Sequence, residues 1–219
     1  MILSVDIGNS RTKFGLFRGR RLVRVFDRLP SLLSPLEKVS VSSVNPAALR
    51  KLLPRLRRLG PVRIAGKDLP IPLLNLSKGT GTDRLLGAYA AWRRAKGPVV
   101  VIDVGTAITL NVVDAKGSFL GGAIFTGPRL ALKALAESTA LLPEVSASAS
   151  TGIGKDTRSA IRAGAALAYG GFLLEGLSAA GKALGRRPRL FVTGGDGALL
   201  GRTYPHLVLE GLAAAIQAP

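Results

Sequence analysis

The chain has 219 residues, 47% of them hydrophobic, which is enough for one large core or two small ones. Zero Cys excludes disulfides and thiolate metal sites, no uninterrupted apolar run reaches the roughly 18 residues of a membrane span, and the acid at position 6 argues against a signal peptide. The formal charge of +18 favours anionic partners, but the cations are scattered outside clusters at 18–24, 55–58 and 186–189 and lack interleaved stacking aromatics, so they read as a solvated surface rather than a nucleic-acid face.

A cytoplasmic α/β chain with no membrane partner is the expectation. Residues 2–6, 12–17 and 21–26 predict three short strands, with Gly8–Asn9 and Gly19 marking the turns. A fourth strand at 39–44 ends at Asn45–Pro46. The segment 46–60 reads as a helix that Pro54 kinks or divides. A short strand at 62–65 and a Pro-rich connection at 70–72 follow, then a helix from Thr82, with Thr82 itself as N-cap.

The opening pattern then recurs. An apolar strand ends at Asp103, a Gly turn follows, and further strands occupy 107–113 and 118–124. "ILSVDIGNSRTKFGLF" and "VVVIDVGTAITLNVV" share the order strand, Asp, apolar residue, Gly, small polar residue, strand. This weak repeat, separated by about a hundred residues, suggests two domains, 1–96 and 97–219, divided at "AKGP". Helices from about 129 to 141 and 156 to 184, a strand at 189–193, Gly194–Gly195 and a short terminal helix complete the chain.

An Asp at the end of a buried strand, followed by Gly, presents a carboxylate into a turn where the backbone can approach a ligand closely. One such turn is ordinary, because structural Asx-turns are common. Two in equivalent places can grip the two ends of a polyphosphate across a cleft, with Asp holding Mg²⁺ and hydroxyls and N–H groups holding oxygens.

On these turns, and on "VTGGDGALL" at 192–200, the chain resembles the actin-like and sugar-kinase-like ATPases. That resemblance implies a fold of two duplicated ribonuclease H-like domains with mixed sheets. "DIGNSRTK", "GTDR", "DVGTA", "GGAIFTG", "LLPEV" and "GKDT" occur in the order and close to the spacing of the type III pantothenate kinases, a resemblance spanning nearly the whole chain.

The resemblance implies ATP-dependent phosphorylation of pantothenate to 4′-phosphopantothenate, the first step towards coenzyme A. It makes Asp6, Gly8, Asn9, Ser10, Thr12, Lys13 and Thr106 ATP-binding residues, with Asp6 also placing Mg²⁺ through the phosphates. Asp83 corresponds to the general base, and Gly81, Thr82, Arg84 and Thr157 to substrate-binding residues. Arg suits the pantothenate carboxylate because its planar fork binds both oxygens. Asp103 corresponds to the ligand of a monovalent cation, K⁺ or NH₄⁺, and the family's pantothenate pocket lies at a homodimer interface.

The chain departs from the family in places. Ser10 stands where Thr is usual, Thr126–Gly127–Pro128 keeps only the Gly of a Pro-Gly pair, and "IPLLNLSKG" lacks the pocket Tyr, with Leu74 as a stand-in. Two rival readings stay open: a DNA-binding accessory factor and a nucleotide-binding relative without pantothenate kinase activity. The bland readings also stay open, with Asp6 and Asp103 as turn formers, Asp83–Arg84 as a helix-start acid and a surface base, and Thr157 as a first-turn residue. "GIGKDT" lacks the first Gly of a P-loop, and Trp92 and Tyr89 read as packing residues. His206, the sole histidine, reads as a surface residue.

Overall fold

The computed structural model describes residues 1–30, 35–148 and 152–218. Strands β1 (Ile2–Ile7), β2 (Thr12–Arg18) and β3 (Arg21–Phe26) form an antiparallel meander. Strand β4 (Lys38–Ser43) lies parallel to β1 on its other side, and β5 (Val62–Ile64) extends the sheet in the order β3-β2-β1-β4-β5.

The second sheet repeats this plan. Strands β7 (Val99–Val104), β8 (Ala107–Val113) and β9 (Ser118–Thr126) form the meander, and β10 (Arg189–Thr193) runs parallel beside β7. A two-residue strand, β6 (Leu74–Asn75), pairs with the outer edge of β9, giving the order β10-β7-β8-β9-β6. This is the expected α/β architecture with mixed sheets. Strand β6 escaped the sequence reading because two residues are too few to show an alternation.

Among the described residues five α-helices cover the sheets: α1 (Pro46–Arg57), α2 (Thr82–Ala95), α3 (Pro128–Glu137), α4 (Thr157–Leu184) and α5 (Leu207–Ala215). Helix α1 runs unbroken past Pro54, which sits in its last turn, while Leu56 is buried with Leu3, Val5, Val39 and Val41. Thr82 is not the N-cap of α2; Gly81 is, and the Thr82 hydroxyl instead pairs with Ser42 Oγ at 3.0 Å, tying the helix to the end of β4. Helix α3 stops at Glu137, earlier than the expected 141. A 3₁₀ turn at Gly197–Leu200 follows the last strand.

The layers follow from apolar faces. Helix α5 lays Leu209, Leu212 and Ile216 on Ile2 and Phe17 of the first sheet, together with Leu86 and Tyr89 of α2. The alanine face of α2, Ala88, Ala90 and Ala91, packs on Val99, Val101, Phe119 and Phe191 of the second sheet. Helices α2 and α5 thus form a middle layer between the sheets. Helix α1 packs against core residues of the first sheet, while α4 packs Tyr169 and Ala180 against Ile102, Ile108 and Leu110 of the second.

The middle layer is close-packed. A Cβ at Gly211 would overlap the Leu86 carbonyl, so α5 crosses α2 nearly backbone to backbone. Gly211→Ala is expected to cost about 1–3 kcal/mol by overpacking, read as a lower urea midpoint with unchanged m-value. A variant as stable as the parent would show that the two helices separate freely.

Candidate active site

Strands β1 and β7 end on the same side of the molecule. Their terminal acids, Asp6 and Asp103, share a cleft of about 530 Å³ with Asp83, from the first turn of α2. Gly8, Asn9, Ser10, Lys13, Arg84 and Thr106 line the same cleft. The two repeated turns touch directly, since Ser10 Oγ and Thr106 Oγ1 are 2.9 Å apart.

Each acid is positioned by its sheet. Asp6 is paired across the ladder with Lys13 on one side and Ser42 on the other. Asp103 lies between Thr109 and Thr193. Gly194, at φ +92, turns the chain so tightly against Asp103 that a side chain there would strike the carboxylate and the Val104 backbone. Asp83 Oδ1 accepts from the Arg84 backbone N–H at 2.8 Å.

Arg84 is aimed by a residue that the sequence reading missed. Its Nε donates to Asn111 Oδ1 at 2.6 Å, and its guanidinium lies 5.8 Å from the Phe119 ring centroid. Asn111 is buried on β8 and anchored in turn, donating from Nδ2 to Thr109 Oγ1 at 3.0 Å and to the Val101 carbonyl at 3.4 Å. Burial lowers the Arg84 pKa against the opposing pull of Asp83.

Four of the expected residues lie outside the cleft lining. Thr12 is on β2 beside Ile7, and Gly81 and Thr82 sit at the start of α2. Thr157 is exposed at the first position of α4, after the N-cap Asp156. Conversely, Arg11, Arg129 and Lys133, to which the sequence reading gave no role, line the cleft, as does Gly195 of the Gly194–Gly195 turn. His206 also lines it rather than facing solvent, and its Nδ1 is buried without a hydrogen-bond partner among the described residues. The fold brings it there by starting α5 at the cleft edge. Burial, reinforced by Lys13, lowers its pKa, while Glu210 acts oppositely.

Electrostatics mark the cleft as built for a cation or a polyphosphate–cation pair. Burial pushes the Asp6 carboxyl up to about 7, with Asp83 and Asp103 adding and Lys13 opposing. Burial also pushes Asp103 up to about 6, with Asp83 adding and Lys13 opposing. Among the described residues no group of three or more His, Asp or Glu side chains could hold a metal ion by itself. A Mg²⁺ ion fits this site only with phosphate oxygens and water completing its shell, its usual preference.

Paired Asp-Gly strand ends, facing across a cleft between two sheets of like topology, are the arrangement expected of the actin-like fold class. The solved structure of a Campylobacter jejuni protein named as a conserved Baf family transcriptional activator shares the fold, with TM-score 0.69, 21% identity and coverage of 98% of this chain and 97% of that one. So does a Sinorhizobium meliloti protein named for 2-dehydro-3-deoxygalactonokinase, with TM-score 0.57, 16% identity and coverage of 99% and 98%.

The chain belongs to the type III pantothenate kinase family, whose sequence model matches residues 28–179. It is similar to the type III pantothenate kinase of Synechococcus elongatus, with 35% identity over 99% of this chain and 96% of that protein. The Anaeromyxobacter dehalogenans (strain 2CP-C) enzyme of the same name is 33% identical, over 97% of each chain.

The raised carboxylates have a consequence for stability. Between about pH 4 and pH 7 the folded, ligand-free chain holds protons that the unfolded chain has released, so these groups contribute less stability as pH rises through that window. Ligand-free Asp6→Asn is therefore expected to melt above wild type at about pH 8, with the gap closing towards about pH 5. Equal melting temperatures at the higher pH would remove the electrostatic strain inferred for the cleft.

Proposed function

We propose that this chain transfers the γ-phosphoryl group of ATP to the primary hydroxyl of pantothenate, giving 4′-phosphopantothenate, and that Asp83 is the base. The observation that carries the assignment is Asp83 sharing one cleft with the two strand-end acids, Asp6 and Asp103. Phosphoryl transfer needs an alcohol placed in line, cationic groups around the spreading charge and an acceptor for the hydroxyl proton.

In this reading the β1–β2 turn, Gly8 to Lys13, and Thr106 hold the phosphates, and Lys13 neutralises phosphate charge. Asp83 takes the hydroxyl proton as the new oxygen–phosphorus bond forms, and ADP leaves as the bond from Pγ to the bridging oxygen breaks. Arg84, with Gly81 and Thr82 beside it, binds the pantothenate carboxylate, its fork held by Asn111. Mg²⁺, carried by the phosphates and Asp6, supplies charge neutralisation, and Asp103 is the ligand for K⁺ or NH₄⁺. The raised carboxylates of Asp6 and Asp103 support a cation requirement, because ionising both without one is unfavourable.

Two copies act together in this reading. Helix α4 has 28 residues, its most apolar 18-residue stretch has a mean hydropathy of 1.2, enough by length and composition to cross a membrane, and only 17% of that stretch is buried within the chain. Leu167 and Leu174 on α4 and Ile124 and Phe125 on β9 are exposed, and Phe125 stacks on Phe172 with centroids 6.5 Å apart. Such a surface supports pairing of copies in a cytoplasmic homodimer. Thr157, at the head of α4, then contacts pantothenate from the dimer side. The chain reads as two units, 1–96 and 97–219, which exchange elements: β6 joins the second sheet and α5 packs on the first.

A second reading is a nucleotide-binding relative without pantothenate turnover. It is favoured by Leu74, which is 63% exposed where the resemblance implies a pocket Tyr. One assay separates them. Wild type with ATP, Mg²⁺ and K⁺ is expected to convert pantothenate to product, and Asp83→Asn to lose about 10²–10⁴-fold in kcat while still binding ATP. Wild type that binds ATP and yields no product would establish the second reading.

A further inference from the structure

The cleft holds cations to which the sequence reading gave no role, and two of them converge on one point. Arg11 comes from the β1–β2 turn of the first sheet, and Arg129 from the first turn of α3, beside the second. A Cβ built on Gly195 would lie 3.3 Å from Arg129 Nη2 and 3.8 Å from Arg11 Nη1. The two guanidinium groups therefore flank the Gly194–Gly195 turn from opposite halves of the molecule.

Arg129 is held, yet left available. Its Nε donates to Asp196 Oδ2 at 2.8 Å, and this is the only side-chain bond that it makes among the described residues. The Asp196 side chain is 14% exposed against 56% for Arg129, so the acid is the fixed partner and the cation reaches into the open cleft. Asp196 is itself fixed, its backbone N–H donating to the Val104 carbonyl at 3.0 Å, next to Asp103. The start of α3 is fixed as well, because the Gly127 N–H donates to the Thr106 carbonyl at 2.9 Å. Arg129 is thus tied at both ends to the second Asp-Gly turn. With Nε occupied by Asp196, its terminal nitrogens are the donors left for a ligand.

We infer that Arg129 is a catalytic residue which, with Arg11 opposite, clamps the β- and γ-phosphates of the nucleotide, and that Asp196 is the positioning residue that aims it. This rests on the reading of the cleft as a kinase site. Guanidinium suits the task because its planar fork spans two phosphate oxygens and stays charged throughout. As the bond from Pγ to the bridging oxygen breaks, negative charge collects on the departing β-phosphate. A preorganised cation there stabilises the transition state more than the bound substrate. The pair with Asp196 engages only Nε, so the terminal N–H donors of Arg129 remain open to phosphate oxygens.

Full-length Arg129→Ala, compared with wild type for melting temperature, ATP and AMP affinity by calorimetry, and turnover, tests the inference. The expected results are an unchanged melting temperature, ATP affinity lowered about tenfold with AMP affinity unchanged, and kcat lowered about 10²-fold or more, in the direction of the roughly 10³–10⁵-fold effects of arginine fingers. Guanidinium ion added to this variant is expected to restore part of the lost turnover, which a purely structural role does not predict. Asp196→Asn is expected to lower kcat in the wild-type background and to have little further effect in the Arg129→Ala background.

ATP affinity and kcat both within threefold of wild type would overturn the clamp, as would equal losses of ATP and AMP affinity. If Arg129→Ala does not fold, Arg129→Gln, which keeps length and polarity, is read by the same criteria. If wild type makes no phosphopantothenate, the substrate assignment fails, but the contrast between ATP and AMP affinities still decides the clamp.

Discussion

Convergence of three carboxylates on one cleft, with Lys13 interleaved, is the constraint on which the molecule is organised. Asp6, Asp83 and Asp103 repel one another across a recessed site, and Lys13 offsets only part of that repulsion. Nothing in folding alone favours this arrangement, because uncompensated buried charge opposes the folded state. Its persistence is explained by a ligand that brings cations and phosphates together. The ligand-free protein is electrostatically frustrated where the loaded one is relieved, a usual exchange of stability for activity.

The architecture exists to hold that cleft open and aligned. Two sheets of like topology place their central strands so that both end at the same opening. The middle helices fix the spacing: α2 carries Asp83 and Arg84 into the cleft while its alanine face rests on the second sheet. The Ser10–Thr106 contact then lets each repeated turn limit how far the other withdraws. Side chains that act on substrate are aimed by neighbours that do not, as Asn111 aims Arg84.

The acids were legible in the sequence because their signal is local. A buried strand, an Asp and a Gly occupy a handful of consecutive residues, so Asp6 and Asp103 stand out without knowledge of the fold. Asp83 and Arg84 were legible through "GTDR" and its resemblance, and the longer strands and helices through their periodicity. What stayed hidden depends on tertiary closure. Asn111 sits mid-strand among apolar residues, and only its position opposite Arg84 gives it a role. His206 and Arg129 occur in unremarkable stretches and reach the cleft because α5 and α3 begin there. Gly81 displaced Thr82 as the N-cap because Ser42, distant in sequence, offered the threonine hydroxyl a partner.

The path of the chain carries a consequence for its biosynthesis. Helix α5, built from residues 207–215, supplies Leu209, Leu212 and Ile216 to the hydrophobic cluster around Ile2 and Phe17. Strands β1 and β2 leave the ribosome well before α5 and wait for that helix before their inner face is dry. Until α5 is made, that face is a greasy surface in need of shelter, exposed to chaperones and to neighbouring nascent chains. The two halves mature as one unit, and the N-terminal half is born first but finished last.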